Sequence, residues 1–117
     1  MANRYGTPFF VYDEASFLRS GKETLSIPHA FGLTIRYAMK ANPHSFFLRL
    51  ADSMGICIDA SSYYEVRRAL AAGIAGEKIM LTSQEVLTDE RLTEVVGRGV
   101  AYNCTSLTQL RQFAEQS

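Results

Sequence analysis

Arg36-Tyr-Ala-Met-Lys-Ala-Asn42 is the stretch that decides the fold of this chain. It closes a short apolar strand, carries a single lysine, Lys40, and runs straight into Asn42-Pro43, which reads as a helix start. Side chains alternate across a strand, so Ile35, Tyr37 and Met39 share one face while Arg36, Ala38 and Lys40 share the other. The apolar face is expected to pack under helices. The other face looks into a barrel, with Lys40 at its mouth. A residue at the C-terminal tip of a strand, just ahead of a helix, stands where an α/β barrel places its chemistry.

Upstream, Tyr5-Gly-Thr-Pro8 punctuates the chain and Phe9-Phe-Val-Tyr12 reads as a lead-in strand. Asp13 can cap a helix running to about Ser26, with Ala15, Leu18 and Leu25 on its inner face. Ile27 to Gly32 reads as loop, and Leu33 to Met39 as the first barrel-type strand. Downstream, Asn42 is the candidate cap and Pro43 the first residue of a helix whose inner stripe is Phe47, Leu50 and Met54, with Phe46 also expected in the core. Ile56-Cys-Ile58 is a buried strand ending at Asp59, and Ser62-x-x-Glu65 has capping-box spacing. Lys78 to Thr82 forms another strand, Thr88 opens another helix, and Val100 to Asn103 is the fourth strand. Ser106-x-x-Gln109 repeats the capping-box spacing before a helix striped by Leu107, Leu110 and Phe113.

The repeat is architectural. Strand tips fall near Lys40, Asp59, Ser83 and Asn103, about every 20 residues. Strand–helix alternation at that spacing means βα units on a parallel sheet. The tips then line up at one edge, where Lys40, Asp59, Thr82-Ser-Gln84 and Asn103 make a polar row. Short apolar strands such as Ile79–Leu81 suit a sheet covered on both faces. A closed eight-stranded barrel takes about 250 residues. The fold class is therefore α/β, about the first half of a TIM (β/α)8 barrel. The whole chain, 1–117, reads as one partial barrel domain: a lead-in strand over 1–13, then a helix and about four βα units over 14–117.

Composition narrows the function. With 47% hydrophobic and 21% charged residues the chain reads as globular. Twelve basic residues balance twelve acidic ones without a run of either sign, which disfavours nucleic acid and anionic membranes as partners. No apolar stretch approaches the roughly 20 residues of a membrane span, and no signal peptide is evident. Cys57 and Cys104 lack paired spacing and read as buried thiols of a cytoplasmic protein. His29 and His44 have no companions at metal-ligand spacing, and Ser61-Ser62 lack the His and Asp of a hydrolase.

Tyr5-Gly-Thr-Pro-Phe-Phe-Val-Tyr-Asp13, Tyr37-Ala-Met-Lys-Ala-Asn42, Ile58-Asp-Ala-Ser-Ser-Tyr-Tyr-Glu65 and Ile79-Met-Leu-Thr-Ser83 resemble, in order and spacing, the N-terminal part of the fold-type III pyridoxal-phosphate decarboxylases. The nearest likeness is to the diaminopimelate decarboxylase group, with the ornithine and arginine decarboxylases behind it. Alanine racemases share the fold and the Lys-Ala-Asn, but an aromatic-glycine pair usually follows there, whereas Pro43-His44 follows here. The resemblance implies pyridoxal phosphate as cofactor, Lys40 as its Schiff-base lysine, and Asp59 and Glu65 as neighbours acting through charge and hydrogen bonds. It implies an amino-acid substrate and a homodimer. An amine must shed its proton to attack an aldehyde, and a barrel mouth that strips water from a lysine favours the neutral form.

Each residue also has a plainer reading: Lys40 as a surface charge, Asp59 as a turn residue, Glu65 as half of a capping box and Asn42 as a helix cap. In the family, the ring-stacking imidazole, the glycine-rich phosphate loop and the acid facing the pyridine nitrogen come from later strands. The expectation is therefore an N-terminal fragment of a decarboxylase, inactive alone. The alternatives are a non-catalytic pyridoxal-phosphate-binding or regulatory module, or a racemase of the same fold.

Overall fold

The computed structural model describes residues 1–116. Four parallel strands, β1 (Arg36–Ala38), β2 (Cys57–Ala60), β3 (Ile79–Leu81) and β4 (Ala101–Tyr102), pair in sequence order. Ala38 lies opposite Asp59, Asp59 opposite Met80, and Leu81 opposite Tyr102. Helices α1 (Ala2–Tyr5) and α2 (Glu14–Leu25) precede the sheet. After the strands come α3 (Ser45–Ser53), α4 (Tyr63–Ala71), α5 (Asp89–Gly97) and α6 (Leu107–Gln116), one per unit. This is the expected run of βα units, the first half of a TIM barrel.

The helices cover one face of the sheet. Ile58, Ala60, Ile79 and Leu81 are fully buried there with Leu48, Ala51, Val66, Ala69, Leu92 and Val95. Each leucine, isoleucine and valine among them contributes about 1.5–3 kcal/mol by leaving water. Ile35, Tyr37 and Met39 join this core, as their alternation predicts. The opposite face, with Arg36, Ala38, Cys57, Asp59 and Met80, is only half-buried, so the expectation of strands covered on both faces is corrected. In a closed barrel that face is filled by side chains from strands across the interior. The radius of gyration is 16.7 Å, against about 13 Å for a compact domain of this length, and the extents are 56 × 40 × 22 Å. The chain is an open slab.

Several local expectations change. Residues 9–12 form no strand, because a strand exists only by pairing and this segment pairs with none of the four. The first strand shortens to Arg36–Ala38. The first long helix is capped as expected, Asp13 Oδ1 accepting from Ala15 N at 3.1 Å. Phe17, Gly21 and Thr24 lie on its inner face; Leu18 is half-buried with them, whereas Ala15 and Leu25 are exposed. Phe17 packs on Tyr37 and Phe47 with ring centroids 5.5 and 5.3 Å away. A Cβ on Gly21 would meet Met54 Cε at 2.5 Å, so the glycine lets the helix approach closely. Phe46 is 42% exposed rather than core, and Phe47, Leu48 and Ala51 are the buried residues of α3. Leu107 and Leu110 are 72% and 51% exposed; α6 turns Gln109, Gln112 and Phe113 inward instead. Cys57 and Cys104 are half-buried free thiols.

Candidate active site

Lys40 lies in a 3-10 turn, Met39–Ala41, that follows β1, two residues past the strand's last residue, Ala38, rather than at its tip. The turn is held at both ends. Met39 is fully buried, and the Tyr37 hydroxyl donates to Asn42 O at 3.2 Å. Burial pushes the Tyr37 phenol above its ordinary 10.0, with the hydrogen bond to Asn42 opposing, so it remains a donor. Asn42 caps this turn rather than the helix: its Oδ1 accepts from His44 N at 3.1 Å. His44 is the helix cap, Nδ1 accepting from Phe46 N at 3.2 Å, so α3 starts at Ser45 instead of Pro43. Between these anchors the Lys40 side chain is exposed. The stripping of water expected at a barrel mouth is not done by this chain.

Asp59 sits inside β2, between Ala38 and Met80, on the face away from the helices. The Thr82 hydroxyl donates to its Oδ1 at 2.9 Å, and Asn103 Nδ2 donates to Thr82 Oγ1 at 3.4 Å. Thr82 and Asn103 are fixed by the sheet ladder itself, their N–H groups donating to Ala60 O at 2.8 Å and Leu81 O at 2.9 Å. Three strand tips are thereby joined by side chains. Glu65 forms the expected capping device with a shift: Ser62 Oγ accepts from Glu65 N at 3.3 Å, while Glu65 Oε2 accepts from Ser61 N at 2.7 Å. Its carboxylate does not line the cleft described next.

A cleft of about 530 Å³ opens at this sheet edge. Lys40 and Asp59 line it together with Ser61, Ser62, Thr82, Ser83, Gln84, Glu85 and Thr105. Of the expected site residues, Lys40 and Asp59 thus share one cleft, whereas Glu65 does not line it but accepts from the N–H of Ser61, which does. Glu85 and Thr105 were not foreseen. The signal that could have found Thr105 is the second capping-box spacing, Ser106-x-x-Gln109, which repeats that around Glu65. A second groove of about 520 Å³, between α2 and the free edge of β1, has Phe17, Tyr37 and Phe47 in its lining and no lysine.

The cleft has a size common to small-molecule sites. An aldehyde-bearing cofactor needs an amine within reach, which Lys40 supplies, and hydroxyl and carboxylate groups to orient it, which Asp59, Ser61, Ser62 and Thr82 supply. The donor set therefore fits pyridoxal phosphate at its aldehyde end. Lys40 is the only cation lining this wall, so no second side-chain cation here matches a phosphate. Among the described residues no cluster of His, Cys, Asp and Glu could hold a metal, and no helix is long and apolar enough to cross a membrane.

Residues 21–117 match the pyridoxal-binding domain of the pyridoxal-dependent decarboxylases, and the chain belongs to that family. Pyridoxal phosphate is the cofactor the family implies. Among individual relatives, the chain is 33% identical over 120 residues to the diaminopimelate decarboxylase of Methanothermobacter thermautotrophicus, covering 98% of this chain and 27% of the relative. It is 37% identical over 115 residues to that of Streptomyces coelicolor, covering 95% and 25%. The Helicobacter pylori diaminopimelate decarboxylase, solved with L-lysine, superposes with a TM-score of 0.81 at 22% identity over 97% of this chain and 29% of that one, a likeness of fold. The chain spans about a quarter of the length of the curated relatives it matches.

Proposed function

We propose that this chain is the cofactor-anchoring N-terminal portion of a pyridoxal-phosphate-dependent amino-acid decarboxylase of the diaminopimelate type. The observation that carries the reading is the shared cleft: Lys40, held between Met39 and the Tyr37–Asn42 bond, opens beside Asp59 at the C-terminal edge of a parallel sheet. Lys40 is the group that holds the cofactor aldehyde through its ε-amine. Asp59, one oxygen engaged by Thr82, is an acceptor-only carboxylate that orients and balances charge. Glu65 accepts from the N–H of Ser61, a cleft residue, and contributes negative charge. When bound, the cofactor supplies an electron sink for the carbanion left as carbon dioxide departs.

The substrate is a small amino acid, and the functional assembly is a homodimer. The 117-residue chain alone is inactive as a decarboxylase, because its cleft offers a single side-chain cation, Lys40. The racemase and regulatory-module alternatives are not favoured, since the matching relatives are decarboxylases. Difference absorbance during pyridoxal-phosphate titration tests the reading. The unaltered chain should show a saturable imine band and Lys40→Ala should show none. Equal binding by both would discard Lys40 as the anchor.

A further inference from the structure

Gln109 is 0% exposed, yet its side chain makes four hydrogen bonds. Its Nε2 donates to Ser83 O at 2.9 Å and to Glu85 O at 3.0 Å. Its Oε1 accepts from Thr105 N at 2.6 Å and from Thr105 Oγ1 at 3.0 Å. The Thr105 hydroxyl also lies 2.9 Å from Ser83 O. One amide thus ties the start of α6 to the loop between β3 and α5. Only an amide can donate twice on one side and accept on the other at this spot. Ser83, Glu85 and Thr105 all line the cleft, whereas Gln109 does not.

We propose that Gln109 is a positioning residue: it sets the cleft wall at 83–85 and 105, and through that wall the grip on the cofactor, without touching it. The inference rests on the reading of this cleft as the pyridoxal-phosphate site. The peptide plane supplies the link. A carbonyl and the N–H that follows it point opposite ways in a trans peptide, so drawing Ser83 O toward Gln109 turns the Gln84 N–H away from it. Releasing the amide frees both peptides of the loop. The cleft then loses a fixed wall although Lys40, on the turn after β1, and Asp59, on β2, keep their places.

Gln112 provides the control. It lies on the same helix and its Nε2 donates to Leu87 O at 2.8 Å and Asp89 Oδ1 at 2.7 Å, a lock of the same kind on the same loop but outside the cleft. The test compares the 117-residue chain with Gln109→Leu, Gln109→Glu and Gln112→Leu. The glutamate keeps an acceptor for Thr105 and turns both donations into oxygen–oxygen contacts, whereas leucine removes donor and acceptor alike. Three quantities are measured: the pyridoxal-phosphate dissociation constant, amide hydrogen exchange over residues 84–87, and the melting temperature.

Both Gln109 variants should bind the cofactor about tenfold more weakly, the loss of roughly one or two well-made hydrogen bonds. They should also exchange faster at 84–87, with Lys40 still the labelled lysine. Gln112→Leu should lower the melting temperature and leave the dissociation constant unchanged. Unchanged cofactor affinity in Gln109→Glu, or an equal loss in Gln112→Leu, overturns the proposal and leaves the cofactor reading standing. If the unaltered chain itself takes up no cofactor at Lys40, the cofactor reading fails and this inference falls with it.

Discussion

The Thr82 hydroxyl donates to Asp59 Oδ1 at 2.9 Å, so the carboxylate of one strand is held by the tip of the next. The bond crosses the register of β2 and β3 rather than lying within a single turn. It gives Asp59 a fixed direction at the cleft edge. Thr82→Val keeps the shape of the side chain and removes the donor. We expect a stability loss of about 1 kcal/mol in urea unfolding and weaker cofactor uptake. Unaltered cofactor uptake would show that the orientation of Asp59 is unimportant to the site.

Two glycines that look alike in sequence should respond with opposite signs. A Cβ on Gly76 would overlap the backbone carbonyl oxygen of Arg98, and neither backbone can step aside. Gly76→Ala should destabilise by about 3 kcal/mol. Gly97, the last residue of α5, has nothing within 4 Å of the same added carbon. Gly97→Ala should stabilise by about 0.5–1 kcal/mol through helix propensity. Thermal melts of the two variants measure both signs.

Glu65 separates a structural role from an electrostatic one. Glu65→Gln retains an oxygen to accept from Ser61 N, now at 2.7 Å from Oε2, and removes the charge. Unfolding free energy should change by less than about 1 kcal/mol. Cofactor trapping at Lys40 should slow severalfold. If stability falls and trapping is untouched, Glu65 is a cap and nothing more.

Half-buried tyrosines set an alkaline limit. Burial pushes the Tyr102 phenol above its ordinary 10.0, as it does that of Tyr37. The neutral phenol is the form the fold favours. The contribution is therefore complete below the unfolded value and is lost as pH rises through the higher folded one. Urea midpoints should hold steady to about pH 9 and then fall. The Tyr102 hydroxyl is also buried without a partner, so Tyr102→Phe should raise stability by about 1 kcal/mol and flatten the alkaline fall. Tyr37→Phe should cost stability instead, since its hydroxyl holds Asn42 O and with it the Lys40 turn.

What could be read from the chain beforehand was what local rules control. Strand–helix alternation, the Asp13 cap, the Ser62 and Ser106 caps and the inner face of Ile35, Tyr37 and Met39 all depend on spacing within a few residues. The grouping of Lys40 with Asp59 followed from parallel strands of equal phase. What escaped depended on neighbours. The α2 face is chosen by Gly21 meeting Met54, not by its leucines. The α6 face is chosen by the amides of Gln109 and Gln112 reaching loop carbonyls, which no hydrophobic pattern records. Phe9–Tyr12 had a strand's composition but no partner to pair with. The start of α3 moved because His44 and Asn42 divide the capping between them.

Of the lysines Lys22, Lys40 and Lys78, only Lys40 is expected to react selectively with the cofactor aldehyde. Pyridoxal phosphate is added to the purified protein, the imine is reduced with borohydride, and intact mass and peptide mapping locate the adduct. One adduct per chain is expected, on Lys40, with Lys22 and Lys78 unmodified. Labelling spread across Lys22, Lys40 and Lys78, or no labelling, would contradict it.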